Sequence, residues 1–132
     1  MMKRLARSKA TNAYDLLSDV RRVILQTPTR YTQQCFQRRT RDCGTVGCIA
    51  YWTERLAGKA IPAPTIAWGV FDVAAARLGL DQRQARHLFY SSAGKGRAGT
   101  VAHARAGARH IRAFQLAHAA QLKAQRISRE CV

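Results

Sequence analysis

Residues 100–126 read TVAHARAGARHIRAFQLAHAAQLKAQR. Projected at about 100° per residue, Ala104, Ala108, Ile111, His118 and Leu122 fall in one sector, with Phe114 at its edge. Arg105, Arg109, Arg112, Lys123 and Arg126 fall in a second sector, roughly 100° away. Thr100 offers a side-chain oxygen to the first free N–H groups. The spacing predicts one long amphipathic helix from Thr100 to about Arg126, with a core stripe and a basic ridge. A solvated outer face usually mixes signs, because i,i+4 pairs stabilise it. This ridge contains no acid. Of the two readings, solvated face or contact surface, the missing acids favour the second.

Helical spacing continues toward the N-terminus. Asp81 with Gln84 three residues on marks a short helix carrying Ala85, Leu88 and Phe89. Before it, Thr65 caps a helix with Ile66, Val70, Val73, Ala74 and Leu78, ended by Gly79. Ile61-Pro62-Ala63-Pro64 is a stiff connector. A helix starting at Thr45 shows Val46, Ile49, Ala50 and Leu56 on one side and stops at Gly58. Asn12, with Asp15 three residues later, caps a helix whose face holds Leu16, Leu17, Val20, Val23 and Ile24. Thr27-Pro28 ends it, since the residue before proline avoids the α region. Residues 31–37 read either as a short extended piece or as a loop packed by Tyr31 and Phe36. Trp52 and Trp68 sit near helix faces and are expected in the core. The expected fold is all-α: a compact bundle of about five helices with a long basic C-terminal helix. Residues 1–10 form a flexible basic arm and residues 11–132 a single helical domain.

The chain has 132 residues, 23 Lys or Arg against 7 Asp or Glu, and a formal charge of +16. A chain of this size hides roughly two thirds of its unfolded surface, enough for one core. Arg (18) far outnumbers Lys (5), and Ala (23) is abundant; a GC-rich genome drifts toward both. Drift does not explain the stretch from Gln82 to Arg129, with ten basic residues and no acid. A field of that sign attracts polyanions. No apolar run reaches the length of a membrane span. The basic start lacks the apolar segment of a secretory signal, so the expected location is the cytosol.

Chemistry is sparsely marked. Cys35, Cys43, Cys48 and Cys131 offer one close pair, Cys43 and Cys48, with no second pair to complete a zinc site. No cofactor or metal is expected. Ser92-Ala93-Gly94-Lys95-Gly96-Arg97 lacks the order of a phosphate loop. Seven scattered carboxylates give no convergent acid–base pair, so no enzyme is expected. Placed in the first turn of its helix, Cys48 has apolar neighbours and reads as a buried thiol. His118, on the apolar stripe, reads as a core histidine.

Cys43-Gly44-Thr45-Val46-Gly47-Cys48-Ile49-Ala50-Tyr51-Trp52 resembles the C-G-T-x-x-C-[IF]-A-G-W signature of small uncharacterised proteins from phages and mobile elements. Leu78-Gly79-Leu80-Asp81-Gln82-Arg83-Gln84-Ala85-Arg86-His87-Leu88-Phe89 is similar to a second stretch of that group, and the Ile111, Phe114 pair to a third. Tyr51 stands where the signature has Gly. The resemblance implies a mobile-element origin and no reaction. Independently of it, Gly44 suits a turn, Thr45 a helix cap, and Cys43 and Cys48 either packed thiols or a disulfide.

The function expected is that of a nucleic-acid-binding accessory protein. The ridge, Lys95 and Arg97 in the glycine-rich loop, and the N-terminal arm would contact phosphates, on duplex DNA in preference to a single strand. The alternative is a non-enzymatic inhibitor or adaptor that docks on an acidic surface of a host or defence protein.

Overall fold

The computed structural model describes residues 7–31, 37–40, 44–58, 67–90 and 99–127. Its first helix, α1 (Ala13–Gln26), opens where Asn12 and Asp15 place it. Asn12 Oδ1 accepts from the Asp15 N–H at 2.8 Å, and Asn12 Nδ2 donates to the Asp15 carboxylate at 3.1 Å. The bond to the Asp15 N–H satisfies one of the donors that a helix start leaves free. Leu16, Leu17, Val20, Val23 and Ile24 are buried, as their periodicity requires. Thr27 closes the helix, its N–H and hydroxyl both donating to Val23 O at 2.8 and 2.7 Å. Pro28 then starts a 3₁₀ turn, Pro28–Arg30.

The next segment departs from expectation. Strand β1 (Gln37–Thr40) pairs antiparallel with β2 (Gly44–Gly47), with Arg39 opposite Thr45. Of the stretch 31–37, residues 32–36 lie outside the described residues and only Gln37 belongs to this strand, whose partner is the segment read as the start of the second helix. Gly44 and Gly47 lower helix propensity there, and the β-branched Thr45 and Val46 suit a pleated strand. Helix α2 therefore runs Ile49–Leu56, four residues later than expected. Thr45 is not its cap. Cys48 occupies the N-cap position without a side-chain cap hydrogen bond and is buried.

Helices α3 (Ala67–Leu78) and α4 (Gln82–Tyr90) follow. The expected cap of α3, Thr65, lies outside the described residues. Gly79 ends it at φ 69°, a conformation that favours glycine. The Asp81–Gln84 box forms in both directions, at 2.8 and 3.0 Å. Thr100 accepts from the His103 N–H at 3.2 Å and opens α5 (Val101–Ala117).

The long helix is not continuous to Arg126. It breaks at His118, and a short α6 (Ala119–Ala124) follows, which raises the count among the described residues to six. Local propensity gives no reason for the break, and tertiary bonds do. His118 Nδ1 lies 3.4 Å from Gln84 Nε2, and Gln121 bonds to Gln84 and to Gly79 O. The turn lays the tail across the start of α1, where Ala13 N donates to Gln125 O at 2.9 Å. Leu122 is buried there.

A single core joins these helices, centred on Trp52, Tyr31, Phe114, Leu16, Leu17 and Ile111. Trp52 Nε1 donates to Arg30 O at 3.0 Å, so the largest core ring leaves no buried N–H unpaired. Arg77 of α3 reaches Glu54 of α2 through two bonds of 2.6 and 3.1 Å in a fully buried ion pair. Of the expected arm, residues 1–6 lie outside the described residues. Ser8 is held against the body: its N–H donates to Leu56 O at 2.8 Å and its hydroxyl to Asp19. The architecture is all-α with one added hairpin. No helix among the described residues is long and apolar enough to cross a membrane.

Candidate functional site

Helices α1 and α5 pack in opposite directions. Tyr14, near the start of α1, meets Arg112 and Gln115 near the end of α5. At the other end, Gly99 N donates to Tyr31 O at 3.2 Å. Between the helices lies an open groove of about 740 Å³. Arg21 and Arg22 reach it from α1, and Arg105, Arg109 and Arg112 from α5. Ser18, Leu25 and Ala108 form the rest of the wall that matters here. On α5, Arg105 to Arg112 spans roughly 10 Å of axis at 1.5 Å per residue.

The groove also holds one carboxylate, Asp19. It accepts from the Ser8 hydroxyl and pairs with Arg22 at 2.9 Å, so it is already neutralised. Arg21, Arg105 and Arg109 have no hydrogen-bond or ion-pair partner among the described residues. Guanidinium groups held this close repel one another, and a bound anion relieves that repulsion.

The expected ridge residues separate in the structure. Arg105, Arg109 and Arg112 stay together. Lys123 sits on α6 with its Nζ 4.9 Å from the centre of the Tyr14 ring. Tyr14 Oη accepts from Arg112 Nη1 at 3.2 Å, so Lys123 adjoins the groove through that ring. Arg126 lies beyond α6 in a backbone bridge with Asn12. The single five-residue helical ridge is thus corrected to three arginines on α5 facing two on α1. Lys95, Arg97 and Cys43 lie outside the described residues. Gly44 and Thr45 are in β2, away from any helix start. His118 is half-buried against Phe114, with ring centres 4.6 Å apart, at the helix break.

Arg21 and Arg22 were not legible as site residues. They occupy the polar side of α1, but periodicity does not reveal which helix lies beside that side. The buried Tyr31–His103 stack, with ring centres 5.0 Å apart, was missed as well. Burial pushes the Tyr31 phenol well above its ordinary range, and the neighbouring Cys48 adds to the shift. Among the described residues no three His, Cys, Asp or Glu side chains converge to hold a metal ion. The arrangement is suited to binding an anion.

No protein-family model matches the chain, and no curated protein and no solved structure matches it either.

Proposed function

We propose that this chain is a small nucleic-acid-binding accessory protein that contacts the phosphate backbone through the α1–α5 groove. One observation carries the reading: five arginines from two helices converge on a groove whose one acid among the described residues is already paired. The planar guanidinium fork binds phosphate oxygens in pairs. Backbone contacts carry no base information, so binding is sequence-nonspecific. The large exposed apolar residues among those described are Leu25, Val101 and Leu116. None is aromatic, so among the described residues no stacking platform favours a single strand over a duplex. In keeping with the resemblance, the protein acts in a host cytosol on behalf of a phage or mobile element.

A second reading, docking on an acidic host or defence protein, is favoured by one feature. Leu25 is 45% exposed on the groove wall and offers an apolar anchor beside the arginines.

Gel-shift titrations of a DNA duplex at three salt concentrations test the proposal. Four phosphate contacts, from the groove arginines not paired with Asp19, give a slope of log affinity against log salt near −3.6. Arg105, Arg109 and Arg112 replaced together by Gln flatten it by about 2.7. No shift near physiological salt at tens of micromolar protein overturns the proposal. A host protein retained after nuclease treatment, and lost by the triple variant, supports the second reading.

A further inference from the structure

Two hydroxyl groups stand on α1 one helical turn apart, a separation of about 5–6 Å between Cβ atoms; Ser18 lines the groove, and Tyr14 adjoins it through Arg112. Tyr14 Oη accepts from Arg112 Nη1 at 3.2 Å, and Ser18 Oγ accepts from Gln115 Nε2 at 2.8 Å. Both donors come from α5. A hydroxyl has one proton to give and two lone pairs to receive, so each group has accepted a bond and kept its proton. Neither has an acceptor for that proton among the described residues. A helical serine ordinarily donates to the carbonyl four residues back. Here that carbonyl, Tyr14 O, is taken by the same Gln115 amide at 2.8 Å. The two unused O–H donors sit beside Arg112, and Lys123 lies over the Tyr14 ring.

We infer that Tyr14 and Ser18 are uncharged phosphate donors of the groove, completing the contacts its arginines begin. The inference rests on the nucleic-acid reading above and adds to it a class of contact that charge counting does not reveal. Hydroxyl groups are regular partners of phosphate oxygens. Unlike Arg or Lys they displace no counterion, so they change affinity without changing its salt dependence.

The test is fluorescence anisotropy of a labelled 20-base-pair DNA duplex across five salt concentrations, with the whole chain. The variants are Tyr14→Phe, Ser18→Ala, the two combined, and Arg109→Gln as a charge control. Tyr14→Phe leaves both Gln115 amide bonds in place, whereas Ser18→Ala leaves one proton of the buried Gln115 amide without its acceptor and lowers melting, so affinities are compared at a temperature where every variant is folded. The double variant is expected to bind about tenfold more weakly at every salt concentration, with an unchanged slope. Arg109→Gln is expected to flatten the slope by about 0.9. A double variant within twofold of the parent overturns the inference and leaves the groove reading standing. So does a slope that falls along with affinity, since Tyr14 would then act only by holding Arg112 and Lys123. A parent protein that fails to bind the duplex removes the groove reading and this inference with it.

Discussion

Replacing Gly107 by Ala tests the packing of α5 against the segment that carries Tyr31. In the middle of an exposed helix the change stabilises by about 1 kcal/mol, because Ala is the better helix former. The structure predicts the opposite sign. A Cβ at Gly107 would stand 2.3 Å from Tyr31 Oη, 2.5 Å from Cζ and 2.7 Å from Cε2, all far inside contact distance. The ring cannot easily withdraw. It is fully buried and stacked on His103, and the backbone is tied on both sides, through Tyr31 N to Pro28 O and Gly99 N to Tyr31 O. Overpacking of this kind costs about 1–3 kcal/mol or more, which exceeds the propensity gain. Thermal melting of a chain this size moves by roughly 3–5 °C per kcal/mol. Gly107→Ala should therefore lower the midpoint by several degrees. In a Tyr31→Ala background the obstacle is gone, and the same change should become neutral or stabilising, giving a coupling of about 2 kcal/mol or more. A Gly107→Ala protein that melts higher than the parent would refute the packing described for Tyr31.

Three further outcomes follow from the core. Phe114→Ala should destabilise by about 3–5 kcal/mol in urea unfolding, since Phe114, on α5, is buried and packed against the rings of His87 and His118; a midpoint that barely moves would mean that α5 faces the other way. Glu54→Gln should destabilise by about 3–5 kcal/mol, because it removes the carboxylate that neutralises the buried Arg77, and Glu54→Gln with Arg77→Met should recover part of the loss. Because the Tyr31 phenol ionises at higher pH folded than unfolded, its contribution is intact below about pH 10 and is lost as pH rises beyond it. Unfolding followed from pH 8 to 12 should therefore show a smaller alkaline loss in Tyr31→Phe than in the parent, and equal losses would contradict the burial of the phenol.

The features legible in the sequence are those whose causes are local. Asn12–Asp15 and Asp81–Gln84 each contain both halves of their cap, and both form. The stripe on α1 is buried because its period is helical and strong. Gly44–Gly47 was misread because a strand is stabilised by its partner, and the pairing with Gln37–Thr40 cannot be seen from four residues with helix-compatible spacing. The break at His118 arises from Gln84, which meets His118 and Gln121 only in the folded chain. The site was half legible for the same reason. Arg105, Arg109 and Arg112 share a face by period alone, whereas Arg21 and Arg22 join them through the packing of α1 on α5.

That two-helix origin is the central claim, and one measurement addresses it directly: the salt dependence of duplex DNA binding by Arg21→Gln/Arg109→Gln, one arginine from each wall of the groove. The control is Arg83→Gln/Arg86→Gln, exposed on α4. The groove variant should flatten the slope of log affinity against log salt by about 1.8, while the α4 control, lying off the groove, should leave it close to that of the parent. Equal flattening by the two pairs, or no change with the groove pair, would contradict a binding site built between α1 and α5.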